Sequence, residues 1–180
     1  MSNVSIREEI AQFEKVSYEE FKKSYIELFQ IYNEEEIQEM YDNIKLPKRS
    51  TSGSAGYDFF IPFKNLLLRQ GDSIIIPTGI RCHFYSSDFS LDLYQRSGLG
   101  FKHRLSLANT VGIIDSDYYY ADNEGHIQVK LCYDGFAGKD DIIEFNEGDK
   151  FVQGIFHKYY ITIDDDAERK RTGGFGSTGK

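Results

Sequence analysis

Cysteine is scarce in this chain and badly spaced for chemistry. Only Cys82 and Cys132 occur among 180 residues. They make neither a disulfide framework nor a zinc-type pair, so both read as small core residues of a reducing compartment. His83, His103, His126 and His157 show no ligand spacing either, which argues against a transition metal held by protein alone. There is no excess of basic charge. Lys and Arg number 21 against 29 Asp and Glu, a formal net charge of −8. That removes the overall positive field of a general nucleic-acid binder. Local cations remain at Lys48–Arg49, Arg96, Lys102–Arg104 and Arg169–Arg171, enough for a phosphate ligand. No apolar run approaches the length of a membrane span, and the first residues carry no apolar signal core, so a cytoplasmic protein is expected. No internal repeat is visible.

Glycine and proline are absent from residues 1–45, which are rich in Glu. Ser17 with Glu20 fits a capping box, and Phe21, Tyr25, Leu28 and Phe29 follow at helical spacing. Asn33 with Glu36 is a second cap, ahead of Ile37, Met40, Tyr41 and Ile44. Two short amphipathic helices are expected. Their apolar stripes need cover, either as a packed appendage, the favoured reading, or by binding a protein partner.

From Leu46 the texture changes. Pro47 and the Ser50–Ser54 cluster end the helical pattern. Short β-type runs follow at Tyr57–Ile61, Ser73–Pro77, Ile80–Tyr85, Ser90–Tyr94, Val111–Ile114 and Ile142–Phe145. Ile127, Val129 and Leu131 alternate with Gln128, Lys130 and Cys132, as a strand with one buried face does. Phe151–Ile163 is long enough for two strands or one bent one. Many short strands at this spacing imply a mainly β sandwich, barrel or jelly roll over residues 46–163. Residues 164–180 form a Gly-rich tail with one large apolar residue, Phe175, expected to be flexible alone and able to order over a ligand.

The stretch Asn109–Tyr118 joins two opposed demands. Val111, Ile113 and Ile114 ask to be buried, whereas Asp115 and Asp117 ask for water, a partner or a metal. A strand that ends in acids can be a plain turn, or can deliver a carboxylate to a pocket mouth where it serves as a base. These ten residues leave both readings open.

Four other stretches look like binding elements. Ala55-Gly-Tyr-Asp58 places an acid after a tight turn, and Arg96-Ser-Gly-Leu99 combines a guanidinium, a hydroxyl and flexible amides. Gly148-Asp-Lys-Phe-Val-Gln153 puts a Gln at a strand start, and Gly173–Gly179 is the tail. Together with Asn109–Tyr118, and in this order, the set resembles the five motifs of the trimeric dUTPases. The resemblance spans roughly residues 46–180.

That resemblance implies a jelly-roll-like β-barrel subunit in a homotrimer with shared active sites, the C-terminal arm acting as a lid. It implies hydrolysis of dUTP to dUMP and pyrophosphate with Mg²⁺. Asp115 matches the general base. Tyr118 matches the aromatic packed under the deoxyribose, and Asn109 a uracil-facing position. Gly112 belongs to the hairpin whose main chain reads the base edge. Arg96, Ser97 and Gly98 match triphosphate contacts, and Gln153 a contact near the α-phosphate. Asp58 matches the acid that holds metal-bound water. Phe175 would stack on uracil, with Gly176, Ser177 and Thr178 at the γ-phosphate. Lys170 stands where the family's arginine is usual, so Arg171 is assigned to the γ-phosphate, with Arg169 next in line. Tyr119–Glu124 intervene before Gly125, which lengthens the hairpin, and Gln95 stands where Pro is common. The rivals are a dCTP deaminase of similar fold and a nucleotide-dependent regulatory protein.

Overall fold

The computed structural model describes residues 8–136, 142–168 and Gly173. The chain opens with β1 (Ala11–Lys15), α1 (Tyr18–Phe29) and α2 (Glu34–Asn43). Next come β2 (Lys48–Arg49), β3 (Tyr57–Phe60), β4 (Leu66–Leu68), β5 (Ser73–Pro77), β6 (Ile80–Phe84) and β7 (Phe89–Gln95). A short α3 (Ser97–His103) leads to β8 (Leu105–Leu107), β9 (Gly112–Ile114) and a 3-10 turn (Ser116–Tyr120). The described strands end with β10 (Gln128–Tyr133), β11 (Ile143–Phe145) and β12 (Lys150–Lys158).

The largest sheet orders its strands β2-β3-β12-β7-β9. Smaller sheets run β5-β10-β8, β11-β4 and β1-β6. All pairings are antiparallel, as hairpins and long returns of a jelly-roll-like β fold require. The strand alternation expected at Ile127–Leu131 is realised: Ile127, Val129 and Leu131 are buried while Lys130 faces solvent. Cys82 is buried, but Cys132 on the other face is only half-buried, which corrects its assignment to the core. The run after Phe151 is one strand that stops at Lys158, where Tyr160, Ile161 and Ile163 emerge exposed. Among the described residues no helix is long and apolar enough to cross a membrane.

Both helix caps form. Ser17 Oγ accepts from Glu20 N at 3.2 Å and Asn33 Oδ1 from Glu36 N at 3.3 Å. Each satisfies one orphan donor of a first helical turn. The reciprocal half of the capping box does not form. Ser17 N–H donates instead to Glu124 Oε2 at 2.8 Å, from the lengthened hairpin. Glu20 is thereby released to turn inward.

The first 45 residues are therefore not a purely helical appendage. Residues 11–15 pair with β6 as a strand, in register from Ala11↔Phe84 to Lys15↔Ile80. Ala11-Gln-Phe13-Glu alternates over too few residues to announce a strand, and the β6 edge supplies the partner that fixes it. Phe21, Tyr25, Ile37, Met40 and Ile44 are buried in one cluster with Phe63, Ile76 and Ile80. The stripes that could have served a protein partner are covered by the chain itself.

Candidate active site

Strand β9 ends where burial ends. Gly112 and Ile114 are buried, Ile113 is exposed, and Asp115 follows at the surface. Asp115 keeps an extended backbone (φ −74°, ψ 155°), and its carbonyl accepts from Tyr118 N at 3.1 Å to start the 3-10 turn. At the other end of β9, Thr110 adopts φ 64°, and its N–H donates to Leu107 O at 3.1 Å. That tight turn brings Asn109 to the rim of a cavity of about 340 Å³, lined by Leu93, Leu107, Asn109, Gly112, Val129 and Lys130 among others. A Cβ on Gly112 would stand 3.4 Å from Leu93 Cβ and 3.7 Å from Asn109 Nδ2. Glycine there thins the wall and leaves the cavity open. The mix of apolar walls and few polar groups is that of a small-molecule site.

A second centre forms around Asp58 on β3. Asp58 Oδ2 accepts from Lys150 Nζ at 2.8 Å and from Ser50 Oγ at 2.6 Å, and Asp58 Oδ1 lies 3.3 Å from Arg96 Nε. Burial alone would raise the Asp58 carboxyl, but hydrogen bonds from Lys150 and Ser50 outweigh it and hold the group below the usual range. Gln153 is the sheet partner of Asp58, and Gly56 passes so close that a Cβ there would meet Gln153 Oε1. The first, second and fourth motifs thus converge. Beside them Arg96, His103 and Lys150 border a groove of about 570 Å³. Ser97 and Gly98 open α3 ahead of its first intrahelical donors, Leu99 N and Gly100 N, both bonded to Arg96 O. Lys150 and Ser50 were not anticipated. Lys150 stands within the fourth motif, where its charge was the available signal.

The two centres do not meet within one chain. Asp58 lies in a row through Gln153 to Tyr94, whereas Ile114, just before Asp115, pairs with Leu91. Three strand spacings sideways and several residues along put Asp115 on the order of 20 Å from Asp58. A larger groove, about 730 Å³ and bordered by Arg49, Tyr57, Tyr85 and Phe156, is lined by neither carboxylate.

Tyr118 points inward. It is buried, with its hydroxyl donating to His126 O at 2.9 Å and accepting from Asn123 Nδ2 at 2.9 Å. Its ring packs into the interior and is not among the residues that line the cavity of about 340 Å³. The extra residues 119–124 complete the 3-10 turn and return the chain to Gly125. Gly125 closes that return at φ 70°, where a Cβ would sit 2.7 Å from Tyr119 Cα. Arg171, Phe175, Gly176, Ser177 and Thr178, with Arg169, lie outside the described residues.

Among the described residues no three His, Cys, Asp or Glu side chains are grouped to hold a metal by themselves. Asp58 suits an indirect role. Lys150, Ser50 and Arg96 occupy about three of the four lone-pair directions of its carboxylate, which leaves one for a water.

The Asp58 arrangement predicts an acid-sensitive contribution to stability. Its folded carboxyl is depressed, so the contribution is present above the unfolded value near roughly pH 4 and is lost as pH falls through the folded value. Urea unfolding of wild type and Asp58→Asn between about pH 6 and pH 2 should show a gap that closes on acidification. A gap independent of pH would contradict the charge assignment.

The dUTPase family model matches residues 42–179. The deoxyuridine 5'-triphosphate nucleotidohydrolase of Lactococcus lactis is 39% identical over 149 residues, 80% of this chain and 95% of that protein. The Escherichia coli K12 enzyme of the same name is 33% identical over 141 residues, 75% and 87% of the two chains. The crystal structure of the dUTPase from Streptococcus mutans superposes with a TM-score of 0.59 at 28% identity, covering 83% of this chain and 97% of that one. A mutant dUTPase from phage phi11 of S. aureus, described with a structural Mg(II) ion, shares the fold at a TM-score of 0.55 and 21% identity, over 71% and 92% of the chains. The family match begins at residue 42, so β1, α1 and most of α2 precede it.

Proposed function

The chain belongs to the dUTPase family and is a dUTP diphosphatase, and from that premise we propose how its own residues carry the reaction. The observation that carries the reading is the geometry of β9. One rigid strand holds the wall of the cavity at Gly112 and presents Asp115 where it ends. The rise between them is about 10 Å, which separates a base-sized pocket from a carboxylate set for phosphate chemistry.

In this reading the cavity takes uracil. Asn109 and the main chain around Gly112 read its edge, and apolar walls replace water around the ring. Asp115, at the surface end of β9, orients a water and accepts its proton as the oxygen attacks the α-phosphorus. The bond from that phosphorus to the bridging oxygen breaks, and pyrophosphate leaves with the electron pair. Arg96, the amides of Ser97 and Gly98, and Gln153 hold the phosphate chain. Asp58, with its one remaining acceptor direction, would hold a water of a bound Mg²⁺. When bound, that ion neutralises charge on the phosphate oxygens. Arg171, Phe175, Gly176, Ser177 and Thr178 close the site from the tail, with Arg171 and the hydroxyls on the γ-phosphate and Phe175 on the base.

The separation of Asp115 and Asp58 supports a homotrimer with shared sites, in which a neighbouring copy closes the gap. The exposed Ile113, Tyr160, Ile161 and Ile163 supply apolar surface for such contacts. The unpaired Cys82 and Cys132 support a reducing compartment, the cytoplasm.

The test is pyrophosphate and ammonia release with Mg²⁺ for dUTP, dCTP, dTTP and UTP. Turnover of dUTP with pyrophosphate as the product, and negligible rates on the other three, is expected. Ammonia from dCTP would replace this reading with deamination.

A further inference from the structure

The residues that precede the family match are tied to the hairpin that carries Asp115. Ser17, at the head of α1, donates from N–H and from Oγ to the two carboxylate oxygens of Glu124, at 2.8 and 2.6 Å. Glu14 on β1 accepts from Tyr119 OH at 2.8 Å and pairs with Arg81 at 3.0 Å. Arg81 in turn lies 4.5 Å over the Tyr119 ring and 3.9 Å from Glu124.

Deeper in, fully buried His126 links the two elements. Its Nε2 accepts from Gly79 N at 2.9 Å, so its proton resides on Nδ1, facing Ser24 Oγ at 3.2 Å and Glu20 Oε1 at 3.6 Å. Ser24 Oγ donates to Glu20 at 3.0 Å and accepts from Gln128 Nε2 at 3.2 Å. The same histidine's carbonyl accepts from the Tyr118 hydroxyl, and Tyr118 N–H donates to the Asp115 carbonyl. A continuous set of contacts therefore runs from α1 to the backbone of Asp115.

We propose that the N-terminal extension positions the catalytic hairpin, with Ser17 and Glu124 as the positioning pair that fixes Asp115 through the Glu124–His126 turn and Tyr118. The proposal rests on Asp115 being the base. It gives the lengthened hairpin a purpose, because residues 119–124 supply both Tyr119 and Glu124. In return α1 acquires from Glu124 the partner for its first backbone donor that a capping box would take from Glu20. A carboxylate that must stay aligned with a water and a phosphorus loses rate steeply when its support loosens, while binding of the base in the separate cavity is spared.

The experiment is steady-state kinetics on the full chain, well below its unfolding temperature, with thermal unfolding measured in parallel. Ser17→Ala and Glu124→Gln should each lower kcat about tenfold and leave KM for dUTP within about twofold of wild type. The double variant should fall no further than the worse single, because both remove one contact. Ser17→Thr keeps the hydroxyl and should restore kcat. Glu34→Gln is the control. It removes contacts to Lys22, Tyr18 and Tyr32 that do not reach the hairpin, and it should leave kcat unchanged. Wild-type kcat in both Ser17→Ala and Glu124→Gln overturns the proposal, as does a loss that merely tracks the folded fraction. Asp115→Asn reports separately on the base. If it abolishes turnover while the pair variants stay at wild-type kcat, positioning alone has failed.

Discussion

Asp115→Asn should lower kcat by about 10²- to 10⁴-fold, the range that one positioned acid–base group contributes. Asparagine keeps the size of the side chain and an oxygen that can still orient water. It cannot accept the proton, so the loss should fall on kcat and leave KM for dUTP nearly unchanged. The site argues for a clean result. Asp115 is exposed and its backbone is extended, so the isosteric substitution strains nothing in the main chain. Thermal unfolding measured in parallel separates chemistry from folding. The cavity at Gly112 is untouched, so dUTP should still bind and retain its preference over dCTP. Pyrophosphate release under saturating dUTP checks the rate, and calorimetric titration with the inert variant checks the binding. Turnover within tenfold of wild type would remove the proton-accepting role from Asp115.

The strands and caps were legible because each rests on local physics. The β-type run Ser73–Pro77 coincides with β5, and Ile127–Leu131 shows the burial its alternation demands. Ser17 and Asn33 cap as their spacing says. What escaped needed a partner distant in sequence. β1 has only the short alternation Ala11-Gln-Phe13-Glu and is fixed as a strand by the edge that β6 offers. Glu20 stands at the right spacing to complete a capping box, yet Glu124, 107 residues beyond Ser17, takes that place. Helix α3 is too short to show a stripe, buries none of its residues and contains two glycines, so no period announces it. Within the site, Asp58, Arg96 and Gln153 are brought together as their motifs imply, whereas the inward packing of Tyr118 onto His126 and Asn123 depends on partners that no motif spacing names.

Phe21→Ala should destabilise the whole chain by about 3–5 kcal/mol, the cost of emptying a buried aromatic site in a core that relaxes only partly. Phe21 is fully buried. Its ring centroid lies 6.3 Å from that of Tyr25, 6.0 Å from Tyr41 and 6.4 Å from His126. The last contact matters most, since His126 belongs to the β core and its carbonyl holds Tyr118. Gly79 runs beneath the same ring, and its N–H is bonded to His126. A side chain on α1 is thus part of the floor on which the β core rests. An appendage that folded by itself would behave otherwise. Its loss would appear as a separate early transition, and the β core would unfold at an unchanged midpoint with dUTP turnover intact. One shared core instead requires a single transition, seen alike by far-ultraviolet circular dichroism and tyrosine fluorescence, moved to lower urea with the slope retained. The variant's activity should disappear along that same curve, because the strand and helices ahead of residue 42 share their packing with the hairpin that bears Asp115.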